Sequence, residues 1–88
     1  MGCEKHKKLV EKYDGSLKEL AEDIGNLHYE ELQKFFEGLS RKLIKDSFAD
    51  HQKNRNKLGD ELAFAAGNII AASKNIGKAW DISKPYMK

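Results

Sequence analysis

"ELAFAAGNIIAASKNIGKAW", residues 61–80, is the stretch on which the fold turns. With its flanks it places Leu58, Leu62, Ala65, Ile69, Ala72, Ile76, Ala79 and Ser83 at alternating steps of four and three. That is the heptad pattern of a helix packed along another helix. The spacing predicts one long helix over about 57–84. Alanine recurs on the seam, and small side chains let two helix axes approach towards the short end of the usual ~8–10 Å range. Within 62–72 the only polar residue is Asn68, so Phe64, Gly67 and Ile70 extend the apolar surface away from the seam. A helix that is apolar on all sides is normally covered on all sides.

The partner lies upstream. Tyr29, Leu32, Phe35, Phe36, Leu39 and Leu43 follow helical spacing, which predicts a second long helix over about 29–53. Between the two, "ADHQKNRNK" has no large apolar residue, and Asn54 and Asn56 suit a reversal, so the helices run antiparallel. Before them, Leu9, Val10 and Tyr13 suggest a short helix ending near Gly15. A further one begins at the Ser16–Glu19 capping box, carries Leu17, Leu20, Ala21 and Ile24 on one stripe, and ends at Gly25 in a left-handed cap. Pro85 closes the last helix, and Tyr86 and Met87 are expected to fold back over the bundle end.

The expected fold is therefore all-α and a single domain over 1–88: two long antiparallel helices preceded by two short ones. Eighty-eight residues bury a modest core. The alternatives are a compact monomeric four-helix bundle and a homodimer with residues 62–72 at its centre, and the uncovered sides of the last helix favour the dimer. The expected interface comprises Leu62, Phe64, Ala65, Gly67, Ile69, Ile70, Ala72, Ile76 and Trp80. This layout resembles small helical-hairpin proteins that dimerise into four-helix bundles, a likeness of architecture that fixes no function.

Motifs for chemistry are sparse. Cys3 and His6 stand three apart, but a structural zinc site needs four ligands, and His28 and His51 lie in other segments; neither metal nor cofactor is expected. Glu-x-x-His, the dimetal signature of bundle cores, does not occur. Nucleophilic catalysis needs Ser or Cys beside a histidine and an orienting acid; Ser40, Ser47, Ser73 and Ser83 fall on helices, where serine commonly takes interface or solvent-facing positions, so none stands out and an enzyme is not expected. No apolar run approaches the ~20 residues of a membrane span, and with a single cysteine and no leader-like run the expectation is a cytoplasmic protein.

Charge is unevenly distributed. Residues 16–40 carry six acids against two bases, and residues 41–57 carry six bases against two acids. Arg41, Lys42, Lys45, Lys53, Arg55 and Lys57 are candidate nucleic-acid contacts, although a net charge of +2 is low for binding driven by counterion release. The leading expectation is a non-enzymatic protein-interaction module that binds itself and another macromolecule. A nucleic-acid-associated regulator comes second. A small-ligand bundle with an apolar pocket near Phe64 and Trp80 comes third.

Overall fold

The computed structural model describes residues 6–86 and, among them, three α-helices and no strand. Helix α1 spans Leu17–Gly25, α2 Tyr29–Gln52 and α3 Asn56–Ser83, followed by one 3-10 turn at Lys84–Tyr86. The two long helices form an antiparallel hairpin, and nearly all tertiary packing lies between them.

The reversal follows from its asparagine. Asn54 has φ 62°, in the left-handed region that asparagine tolerates better than most residues. Around it the Arg55 N–H donates to the Asp50 carbonyl (2.8 Å) and the Asn54 N–H to the His51 carbonyl (3.0 Å). This is the paired bonding of a Schellman cap, formed without glycine.

The axis of the hairpin is a line of small residues. Ala66 is 1% exposed, and Ser40, Ser47, Gly59 and Ser73 are buried. Ser47 Oγ donates to the Gly59 carbonyl across the pair (2.7 Å), and Ser73 Oγ reaches the Gln33 carbonyl (3.4 Å). Both contacts share one register, which sets Ser40 opposite Ala66. The line steps by seven on both helices: Gln33, Ser40 and Ser47 against Ser73, Ala66 and Gly59. A backbone carbonyl within reach of a serine hydroxyl requires closely spaced backbones. No buried side-chain polar atom among the described residues lacks a partner.

Several expectations are corrected. The contact line on α3 runs through Gly59, Ala66 and Ser73, one residue on from Leu58, Ala65 and Ala72; at its turn end Leu58 is too large for the position that Gly59 takes, and at the other Ser73 gains a carbonyl partner across the pair. Ile70, expected to point away, is half-buried and turned towards α2. One short helix precedes the hairpin, since residues 6–15 form only turns, including Tyr13 N–H to the Val10 carbonyl (3.1 Å). Leu9 and Val10 are exposed there, and a segment this short does not hold a helix without packing.

Gly25 is the last residue of α1 and takes no positive φ; Asn26 caps the helix instead. Lys84, before Pro85, stays in helical geometry and the chain continues through a 3-10 turn. Tyr86 does not cover the bundle end: it is 82% exposed. Cys3 and Met87 lie outside the described residues.

Nor does a single chain make a four-helix bundle. Helix α1 has its capping box, yet no residue of it is buried and Leu17 is 58% exposed. The radius of gyration is 15.6 Å, against about 12 Å for a compact chain of this length.

Candidate interaction surface

A seam built from small residues has a consequence at its sides. The larger apolar residues that would fill a wider gap are displaced onto the two broad faces of the hairpin. Helical residues turn by about 100° each. Leu32, Phe36, Leu39 and Leu43 accordingly fall on one flank of α2, and Leu62, Ala65, Ile69, Ala72 and Ile76 on the flank of α3 that meets it. Leu43, Leu58 and Leu62 line a single surface depression beside the turn, which fixes these flanks as one face. Between Leu32 and Leu43, and between Leu58 and Ile76, its one charge is Glu61, at the outer edge of α3. Leu39 and Leu58 are exposed on it, and Phe35 at its edge.

The opposite face is mixed. It holds Ile44, Phe48, Ala63, Gly67 and Ile70, interrupted by Glu37, Arg41, Asp60 and Lys74. Phe48 is 67% exposed, and nothing lies within 4 Å of where a Cβ on Gly67 would sit. Phe64 projects from the outer side of α3, 64% exposed. The nine expected interface residues are thus divided. Leu62, Ala65, Ile69, Ala72 and Ile76 share the leucine-rich face, Gly67 and Ile70 belong to the other, and Phe64 to neither.

Trp80 is occupied elsewhere. Its ring meets His28 edge-on at 4.3 Å, with the Lys84 ammonium 5.4 Å from the ring. His28 caps α2, its Nδ1 accepting from the Glu30 N–H (3.2 Å). This histidine therefore joins the start of α2 to the end of α3. At the turn, His51 does the equivalent: Nδ1 faces Asn56 Oδ1 (2.9 Å), and Nε2 lies 3.2 Å from Asp60 Oδ1. Read as potential metal ligands, both histidines are structural ties. Among the described residues no three His, Cys, Asp or Glu side chains converge as a metal-binding group. Neither the depression by the turn nor the one along residues 7–16 is lined by Phe64, Ile70 or Trp80.

The six candidate nucleic-acid bases are all exposed. Lys42 is held by both oxygens of Asp46 at 2.7 Å, and Arg55 lies 3.4 Å from Asp50. Arg41, Lys45, Lys53 and Lys57 have no acid within ion-pair distance among the described residues. Arg41, Lys45 and Lys57 lie on the outer edge of α2 and the turn, whereas Lys53 lines the depression beside the turn together with Lys42 and Arg55.

Among the described residues two ionisable groups shift, both near α1. The Tyr13 hydroxyl donates to Asp23 Oδ2 (2.6 Å), and that bond, helped by slight desolvation and the adjacent negative charge, raises its pKa. Glu19 accepts from the Ser16 N–H (2.8 Å), and Ser16 Oγ accepts from the Glu19 N–H (3.1 Å). These contacts hold the Glu19 carboxyl below its ordinary value.

No helix among the described residues is long and apolar enough to cross a membrane. Comparison with protein-family models, with curated proteins and with solved structures gives no match, which leaves the surface itself as the ground for a functional reading.

Proposed function

We propose that the chain is a non-enzymatic interaction module that works as a homodimer, two hairpins pairing through the leucine-rich face to make a four-helix bundle. One observation carries the reading: the single chain exposes far more surface than its mass requires. Its accessible area is 7318 Å², whereas a compact monomer of 10.0 kDa exposes about 5,200 Å². The excess, about 2,100 Å², falls in the range of about 1,000–2,500 Å² that each chain of an obligate homodimer buries. A leucine-rich face, charged towards the turn by Asp46 and Asp50, is available to bury part of it. In the dimer the charged outer surface would remain free to engage a further macromolecule.

Sedimentation equilibrium at micromolar concentration tests the proposal. The expected mass is twice 10.0 kDa. Leu39→Glu changes a residue already exposed in one chain, so the hairpin should keep its helix content. It should nevertheless weaken the dimer at least tenfold, ~1.4 kcal/mol, by placing a charge in an apolar interface. A concentration-independent monomer would end this reading.

A second reading, binding of nucleic acid by the turn-end bases, is favoured by the four bases that lack an acid partner. Salt-sensitive binding of DNA or RNA, lost when Arg41, Lys45, Arg55 and Lys57 are neutralised together, would support it. Binding indifferent to those substitutions would remove it.

A further inference from the structure

We infer that the depression beside the turn is a binding site for an aliphatic monocarboxylate, a short alkyl chain ending in one negative charge. This goes beyond the homodimer reading and does not rest on it. The depression has a volume of about 800 Å³, within the range of about 300–1,000 Å³ of small-ligand sites. Leu43, Leu58 and Leu62 supply its apolar lining, and among the described residues no aromatic ring borders it. Such a lining suits a flexible alkyl chain, since a planar ring would find no partner to stack on.

The charges of the lining select the head group. Three bases, Lys42, Lys53 and Arg55, stand against two acids, Asp46 and Asp50. His6 also borders the depression and adds no negative charge. Both acids are already engaged. Lys42 is held by the two Asp46 oxygens, each at 2.7 Å, and Asp50 lies 3.4 Å from one Arg55 nitrogen. Lys53 has no acid within ion-pair distance among the described residues, and Arg55 keeps its other N–H donors. One positive charge is thus left over beside leucine side chains, the complement of a carboxylate on an alkyl chain. The same five charged groups make this the part of the face that a second copy covers least readily, because burying them strips their hydration. The site therefore stays open in a monomer and in a dimer alike.

Amide chemical shifts of the full chain, titrated with millimolar octanoate at low salt, test the site. Saturable shifts should gather at Leu43, Ala49, Lys53, Leu58 and Leu62. Octanol, the same chain without charge, and octylammonium, with the charge reversed, should each bind about fivefold more weakly or worse. Lys53→Gln removes the free ammonium and breaks no ion pair. It should weaken octanoate about fivefold, the upper range for a partly exposed charge pair, and leave octanol unchanged. Lys53→Arg should restore the octanoate affinity. Leu58→Ala should weaken octanoate and octanol alike, by removing apolar contact common to both. Shifts scattered over both broad faces, or equal affinity for all three amphiphiles, would overturn the site. So would octanoate binding indifferent to Lys53→Gln. A chain that gathers on phosphatidylglycerol vesicles and ignores octanoate takes a lipid headgroup at this surface, and the inference fails.

Discussion

Gly59 and Gly67 sit eight residues apart on one helix, and the chain needs glycine at only one of them. A Cβ on Gly59 would lie 2.5 Å from the His51 ring; one on Gly67 would meet nothing within 4 Å. The first belongs to the seam, where the His51 ring already fills the space a methyl group would take. The second belongs to a broad face that no part of the same chain covers. The seam is thin but complete, with small residues and satisfied hydroxyls. The faces are rich in large apolar residues and open to water. One region makes the hairpin, and the other leaves it dependent on something else.

The sharpest way to break this comparison is to enlarge the seam. Ala66→Leu inserts three carbons at a position 1% exposed, and overpacking of this kind costs about 1–3 kcal/mol. A thermal or denaturant midpoint followed by circular dichroism should fall markedly. An unchanged midpoint would mean that the two backbones are not held as close as the Ser47–Gly59 bond implies.

Gly59→Ala comes next, and its sign is a contest. Alanine is the better helix former by about 1 kcal/mol. Against that, the His51 ring must move from its contacts with Asn56 and Asp60. We expect a net loss of about 1 kcal/mol, the strain of an overfilled contact outweighing the propensity gain. A gain in midpoint would show that the ring gives way easily. Gly77→Ala is a milder version, since the close atom there is the Gln33 side-chain amide (2.7 Å), which can swing aside more readily.

Gly67→Ala should do the opposite, raising stability by about 0.5–1 kcal/mol through propensity alone. Because Gly67 lies off the leucine-rich face, the dimer constant should stay unchanged. A loss of stability or of dimer would reveal that a partner packs against this face instead.

Much of this architecture was legible in the sequence. The two long helices, their antiparallel course and a reversal at Asn54 follow from apolar spacing and from asparagine's tolerance of positive φ. The close approach was legible too, from the recurring alanines, but its line was placed one residue early. Large apolar residues dominate a periodicity, and they mark the flanks of this seam rather than its centre. The signal that would have found the centre is small-residue recurrence at sevens: Ser40 and Ser47 on one helix, Gly59, Ala66 and Ser73 on the other. The histidines were missed for a different reason. His28 and His51 act through ring contacts and caps with residues 52 and 9 positions away, Trp80 and Asp60, which only the fold brings together.

Helix α1 offers the smallest effect and a clean contrast with the seam, because its stability is local. Glu19 has a folded-state pKa below its ordinary value of 4.5, caused first by the Ser16 N–H and then by the Ser16 side chain. Its capping contribution is therefore complete above about 4.5 and is lost as pH falls through the lowered value. Tyr13 has the opposite sign: its pKa is raised above 10.0 by the bond to Asp23, so its contribution is complete below that value and disappears as pH rises through the raised one. Helix α1 should thus be best ordered at intermediate pH. Since α1 packs on neither long helix to any extent, acidification should release its amide protons to exchange several-fold faster while those of Ser40, Ser47 and Ala66 keep their protection from acid-induced opening. Ser16→Ala should abolish this acid-specific difference by removing the cap in advance. If α1 and the seam instead open together as the pH falls, the first helix is coupled to the hairpin more tightly than its exposed Leu17 allows.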